Sequence, residues 1–241
     1  AVKDKKILGI GGNDILRELQ GKYTGVIDCA NKTILPGFTD AHCHLQAFAE
    51  SLVNLNLDPS AGTKSIMDIQ AKVKDVSRNL APGTWIRAGG YNEFHLAEKR
   101  HPSRWDLDQA TQVHPVKLTH RSGHAHALSS LALRRMNISK ETPDPPDGLI
   151  DRDWQTGEPT GVLYGMGEFL AKRMPPLDYR DMERGIKLAN QELLSHGITS
   201  LQDASPRNGI ERWRLFERWK RDEIVKPRLS MMLAIEAFNK F

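Results

Sequence analysis

Cysteine is nearly absent from this chain, with Cys29 and Cys43 the only two in 241 residues. Two thiols cannot build the multi-bridge framework of small secreted folds, so the core must come from ordinary apolar burial. Long apolar runs are missing as well. No stretch approaches the roughly 20 residues that span a bilayer. The opening AVKDKKILGIGGND has neither the apolar centre nor the small-residue cleavage site of a signal peptide. These absences point to a cytoplasmic protein with no membrane partner. A strong excess of one charge is also lacking, since 34 Lys and Arg face 30 Asp and Glu for a formal net charge of +4. Nucleic-acid binding asks for clustered cations. The nearest approach is Arg212, Arg214, Arg218, Lys220 and Arg221 among Trp213, Phe216 and Trp219, but Glu211, Glu217, Asp222 and Glu223 share the segment. It reads as an amphipathic helix that buries Ile210, Trp213 and Phe216, and no nucleic-acid partner is expected.

What is present is ordinary for a globular chain: 39% hydrophobic and 27% charged residues, with length for one large domain or two small ones. Residues 1–32 carry two short apolar runs, Lys6 to Ile10 and Thr24 to Asp28, separated by the turn chemistry of Gly11-Gly12-Asn13-Asp14. That pattern predicts a small β segment. From residue 33 onward, helical and strand patterns alternate. Ile66, Ile69, Val73, Val76 and Leu80 fall at helical spacing behind a Ser65 cap, with Asp68 three residues on. Tyr179, Met182, Ile186, Ala189 and Leu193 form a second stripe, ended by Gly197. The third helix covers Ile210 to Glu223. Glu141 to Pro159 is rich in Pro and Asp and aperiodic, which predicts a surface excursion within one domain. Strands ending near Ala41, Tyr91, Arg121, Asp203 and Glu236 make five, so residues 33–241 read as α/β with a parallel sheet. A closed (β/α)₈ barrel needs eight. The count leaves a smaller open sheet or part of a barrel.

Alternate residues of a strand share a face, so His42 and His44 aim two imidazoles at one point with Cys43 turned away between them. Neutral imidazole is a standard ligand for zinc and other first-row divalent metals. Spacing alone is weak evidence, because His124-Ala125-His126 repeats it. His95, His101, His114, His120, His126 and His196 have no supporting motif and read as surface or packing residues. His124 closes a strand-like segment and reads equally as a structural loop residue. Asp203 stands where a strand ends, placed either to support a site or to cap the next helix.

Context sharpens the reading. Thr33-Ile34-Leu35-Pro36-Gly37-Phe38-Thr39-Asp40-Ala41-His42-Cys43-His44 resembles the start of the barrel in the amidohydrolase superfamily. Trp85 to Tyr91, Asp106-Leu107-Asp108 before His114-Pro115-Val116, Ser122-Gly123-His124 before Ser130 to Leu133, Gly157 to Leu163 and Gly197 to Ala204 follow in order. Together they resemble amidohydrolase family 3, the branch that includes N-substituted formamide deformylase. The resemblance implies a partial (β/α)₈ TIM-like barrel over residues 33–241, preceded by a β-sandwich segment over residues 1–32. It implies that His42 and His44 bind a divalent metal, zinc above all, in a site of one or two ions. Glu168 is a further candidate ligand, although Gly165 stands where many relatives carry Glu. His124, Asp203 and Tyr91 become candidates for contacting substrate or supporting the metal, and Ser122 replaces the usual Asp before Gly-His. The implied reaction is hydrolysis of a C–N bond in a small amide-type molecule, with deamination or cyclic-amide hydrolysis as the alternative, and a non-catalytic half-barrel as the rival of another class. The general-base Asp and the remaining ligands are expected beyond Phe241. This stretch alone is therefore expected to be inactive and, with open edges, prone to homo-oligomerise.

Overall fold

A computed structural model describes residues 1–240 and divides the chain into two compact units, Ala1–Pro36 and Gly37 onward. The first unit holds β1 (Val2–Lys3) and β2 (Lys6–Ile7), an antiparallel hairpin, followed by the short helix α1 (Asn13–Arg17). The expected strand at Thr24 to Asp28 is not formed. A strand needs a partner ladder for its backbone groups, and none lies alongside in this unit among the described residues. The segment read as a turn at Gly11 to Asp14 instead starts α1. The paired part of the first apolar run stops at Ile7. A β-sandwich is thus not seen in residues 1–36.

The second unit opens with β3 (Phe38–Cys43), α2 (Leu45–Val53) and β4 (Leu55–Asn56). Then come α3 (Ile66–Ser77), β5 (Ile86–Tyr91), α4 (Arg104–Ala110), β6 (Val116–His120), β7 (Ala125–Leu128) and α5 (Ser130–Arg135). The chain continues through β8 (Leu149–Arg152), β9 (Pro159–Tyr164), α6 (Gly167–Arg173), α7 (Tyr179–Ser195), β10 (Ile198–Asp203), α8 (Ile210–Arg221) and β11 (Arg228–Met231). The helix signals are met as written: Ser65 Oγ accepts from the Asp68 N–H, and Gly197 takes φ +74° just past α7. No helix among the described residues is long and apolar enough to cross a membrane.

The five expected strands do not form one sheet. β3, β10 and β11 make a three-stranded parallel sheet in the order β11-β10-β3. β5 and β6 belong to a separate six-stranded mixed sheet, ordered β4-β5-β6-β7-β9-β8. In it β4, β5 and β6 run parallel, and β7, β9 and β8 follow in antiparallel pairs. The mixed sheet is formed entirely from the chain between α2 and α6, and so separates β3 from β10 in sequence. The excursion from Glu141 to Pro159 is not bare loop, because it contains β8. Asp144 closes it by accepting from the Ile150 N–H at 3.1 Å and from Arg152 at 2.9 Å. The last strand ends at Met231, short of Ile235, where a 3₁₀ turn begins.

Each sheet carries its own core. Leu45, Ala49, Ile186, Ala189, Leu201, Phe216 and Trp219 pack the three-stranded sheet under α2, α7 and α8. Leu57, Ile69, Val73, Ile86, Leu107 and Leu118 pack the mixed sheet under α3 and α4. On α8 the buried face is Phe216 and Trp219, whereas Trp213 is 41% exposed, one helical step off the stripe expected from the pattern.

Candidate functional site

β3 delivers His42 one residue before its end, and His44 stands immediately before α2 without capping it through its side chain. Alternation turns Cys43 into the core beside Leu45 and Leu201, leaving both imidazoles exposed. Their ring centroids lie 5.3 Å apart, edge to face. His44 Nδ1 lies 3.3 Å from Ser205 Oγ, which orients the ring and leaves Nε2 as its outward nitrogen. Burial, with Asp203 and Asp40 adding to it, pushes the Cys43 thiol up to about 12. Without a metal it stays protonated near neutral pH.

Asp203, the last residue of β10, is fully buried directly beneath this corner. Its Oδ2 accepts from the Leu45 N–H at 2.8 Å, while Oδ1 accepts from the Ser205 N–H at 2.9 Å and Asn208 Nδ2 at 2.8 Å. Burial pushes its pKa up, but the bonds from Asn208, Ser205 and Leu45 outweigh that and hold the carboxyl below the usual range. With its oxygens occupied this way, Asp203 ties the start of α2 and the loop after β10 to one point. It fixes the backbone next to His44. Ser205 and Asn208 escaped the sequence reading; the signal available was a Ser two residues after a strand-ending Asp.

The other residues singled out lie elsewhere. Tyr91 is fully buried, its hydroxyl 2.9 Å from His101 Nδ1, and burial pushes its pKa up. His124 is exposed; its N–H donates to Ser122 Oγ at 3.2 Å and its carbonyl accepts from the Gly165 N–H at 2.8 Å, a loop-fastening arrangement. Glu168 has a side chain 67% exposed on α6 and pairs with Lys172 at 2.9 Å. Among the described residues no group of three or more His, Cys, Asp or Glu is arranged to hold a metal, so Glu168 does not join the two histidines here.

Two features were not anticipated. His101 and His120, read as surface or packing residues, gather with Tyr91 and Glu93 at the ends of β5 and β6. Glu93 Oε2 approaches His120 Nε2 to 2.7 Å, and the two imidazoles stack edge to face at 5.6 Å. Burial lowers the His101 pKa, opposed by Glu93 and reinforced by His120. The second feature is a cavity of about 520 Å³ lined by His44, Glu50, Arg87, Lys117, Arg207 and Arg212 among others. Arg87 and Lys117 are register partners on adjacent parallel strands. Their visible signal was a cation set inside each apolar strand, Ile86-Arg87-Ala88 and Val116-Lys117-Leu118.

A fold with paired histidines at the C-terminal end of a parallel strand fits the class of metal-dependent hydrolases, and family comparison agrees. The Amidohydrolase family model matches residues 25–230, and the chain belongs to that family. It is 32% identical over 210 residues to N-substituted formamide deformylase of Arthrobacter pascens, covering 84% of this chain and 38% of that protein. It is 33% identical over 200 residues to the putative amidohydrolase YtcJ of Bacillus subtilis, covering 82% and 37%. An uncharacterized metal-dependent hydrolase from Pyrococcus furiosus superposes with a TM-score of 0.59 at 26% identity, over 85% of this chain and 39% of that one. The chain thus spans under two fifths of the length of the curated relatives it matches.

Proposed function

We propose that this chain supplies the histidine arm of a metal-dependent hydrolase that cleaves a C–N bond in a small, non-peptide amide. The observation that carries the proposal is the adjacency of the His42 and His44 rings at the end of β3. The family supports it, as does the name of the formamide deformylase relative. The three parallel strands β3, β10 and β11, each followed or preceded by a helix packed on one face, suit an arc of a (β/α)₈ barrel, whose sites lie at C-terminal strand ends.

The donor set fits zinc. Imidazole nitrogens suit it, and His44 has the oriented partner a ligating histidine needs. When bound, a divalent metal polarises a carbonyl oxygen and acidifies water near neutral pH. The chain's own residues do the positioning. Asp203 and Ser205 hold His44 and the start of α2, and the three N–H donors on Asp203 favour its ionised form.

Titration calorimetry with zinc tests the reading. A catalytic zinc keeps three protein ligands, and the described residues bring two together, so binding to this chain should be weak. It should weaken a further tenfold or more in His42→Ala/His44→Ala. Equal zinc affinity in the parent and the double variant, with both folded by circular dichroism, would overturn the proposal.

A further inference from the structure

We propose that the cavity beside His44 binds a small organic carboxylate, gripped by Arg87 and Lys117 on the strands β5 and β6. Resting on the hydrolase reading above, this makes the substrate an amide that also carries a carboxylate.

Four cations line the cavity, Arg87, Lys117, Arg207 and Arg212, against the single carboxylate of Glu50. None of the four makes an ion pair within 4.0 Å among the described residues. Their hydrogen bonds go to neutral acceptors. Lys117 Nζ donates to Thr119 Oγ1 at 3.0 Å, Arg87 to the Pro175 carbonyl, and Arg212 to Asn208 Oδ1 at 3.3 Å. Glu50 itself accepts from the Gln46 amide at 3.0 Å. Arg207 is exposed, but Arg87, Lys117 and Arg212 are half-buried, and half-buried cations without a counter-charge are costly and normally paired. The register of β5 and β6 sets Arg87 and Lys117 side by side, so the two cations repel. An anion between them would relieve that repulsion and the loss of solvation together.

The same crowding shows in the chemistry of Lys117. Burial and Arg87 push its ammonium down to about 8, with Glu50 only partly restoring it. Burial lowers Arg87 as well, against Glu50 and Asp181, and lowers Arg212 against Asp203 and Glu50 while Arg207 adds to the lowering. A carboxylate suits the geometry, because a guanidinium can grip both oxygens while an ammonium supplies a point charge. The volume lies in the range of small-molecule pockets. His44 lines the same cavity, so a ligand anchored at the cations shares the space with the proposed metal ligand.

The test is calorimetry on the metal-free chain with N-acetylphenylalanine and, as its neutral counterpart, N-acetylphenylalanine amide. We expect the carboxylate to bind at least tenfold more tightly, and Lys117→Met and Arg87→Met each to weaken it about tenfold to a hundredfold. Lys117→Arg keeps the charge and should bind within about threefold of the parent, which separates a lost charge from a damaged fold. Equal binding of acid and amide, no binding of the acid up to ~10 mM, or indifference to folded Lys117→Met would each overturn the proposal. His42→Ala keeps the two readings apart: it should lose zinc affinity and retain carboxylate affinity. Zinc binding that survives His42→Ala, with carboxylate binding intact, would count against the metal reading alone.

Discussion

His126 is 3% exposed on β7, with Nδ1 3.3 Å from Thr119 Oγ1 and no hydrogen-bond partner at Nε2 among the described residues. Burial, with Lys117 and His124 adding to it, pushes its pKa down to about 3. The folded protein therefore keeps this ring neutral at a pH where the unfolded chain, near the ordinary value of about 6.5, already takes a proton. The contribution to stability is complete above pH ~6.5 and is lost as the pH falls from there towards 3. Going from pH 6.5 to 5 should cost about 2 kcal/mol at this one site. Urea unfolding at pH 7.5 and pH 5 should show a drop in the parent that His126→Asn, which cannot be protonated, lacks. A drop of equal size in both would show that other groups set the acid limit. Asp203 is titrated in the opposite direction: three N–H donors hold this buried carboxylate ionised, and it anchors the backbone around His44, the residue after its register partner Cys43.

At the scale of elements, α2 and α7 meet at Gly185, where a Cβ would lie 2.5 Å from the Ala49 carbonyl oxygen and 3.4 Å from the Ala49 side chain. Gly185→Ala adds roughly 1 kcal/mol of helix propensity, but the atom met is backbone, so forcing two packed helices apart costs about 2–3 kcal/mol, the upper end of the usual overpacking range. We expect a net loss of about 1–2 kcal/mol, read from urea denaturation beside Gly12→Ala, whose Cβ meets nothing within 4 Å. No loss in Gly185→Ala would mean the helices can separate freely. The helices themselves were legible because their signals are local: Ser65 and Asp68 cap α3, and Gly197 ends α7. The strands were legible only in part. All four residues of β7 are buried, so alternation has nothing to report, and β8 hides inside a Pro- and Asp-rich stretch. The division of five strands between two sheets is set by contacts between residues far apart in sequence, which no local period encodes. The site divides the same way. His42-Cys43-His44 is read from three neighbours, whereas Arg87 and Lys117 meet only through the register of β5 and β6.

On the scale of the whole chain, the two units differ in how much they bury. Within Ala1–Pro36 no residue is buried, and Val2, Ile7, Ile10, Tyr23, Val26, Ile27 and Ile34 are exposed. Its regular structure is one two-residue hairpin and a helix of five residues with no side-chain cap. The unit from Gly37 onward carries three separate apolar clusters. Local opening costs little where few apolar contacts must be broken, and a protease needs an opened, extended segment to cut. Limited trypsin digestion should therefore cut first at Lys5, Lys6, Arg17, Lys22 or Lys32, all in the first unit. Mass spectrometry should then find a long-lived fragment that begins at Thr33. The stringent competitor is Lys140, exposed in the loop before β8, yet that loop is tied down by Asp144 bonding Ile150 and Arg152 and by Ser139 bonding Thr142 and Glu141. Cleavage after Lys140 ahead of Lys32 would show that the first unit gains more from its surroundings than its own burial provides.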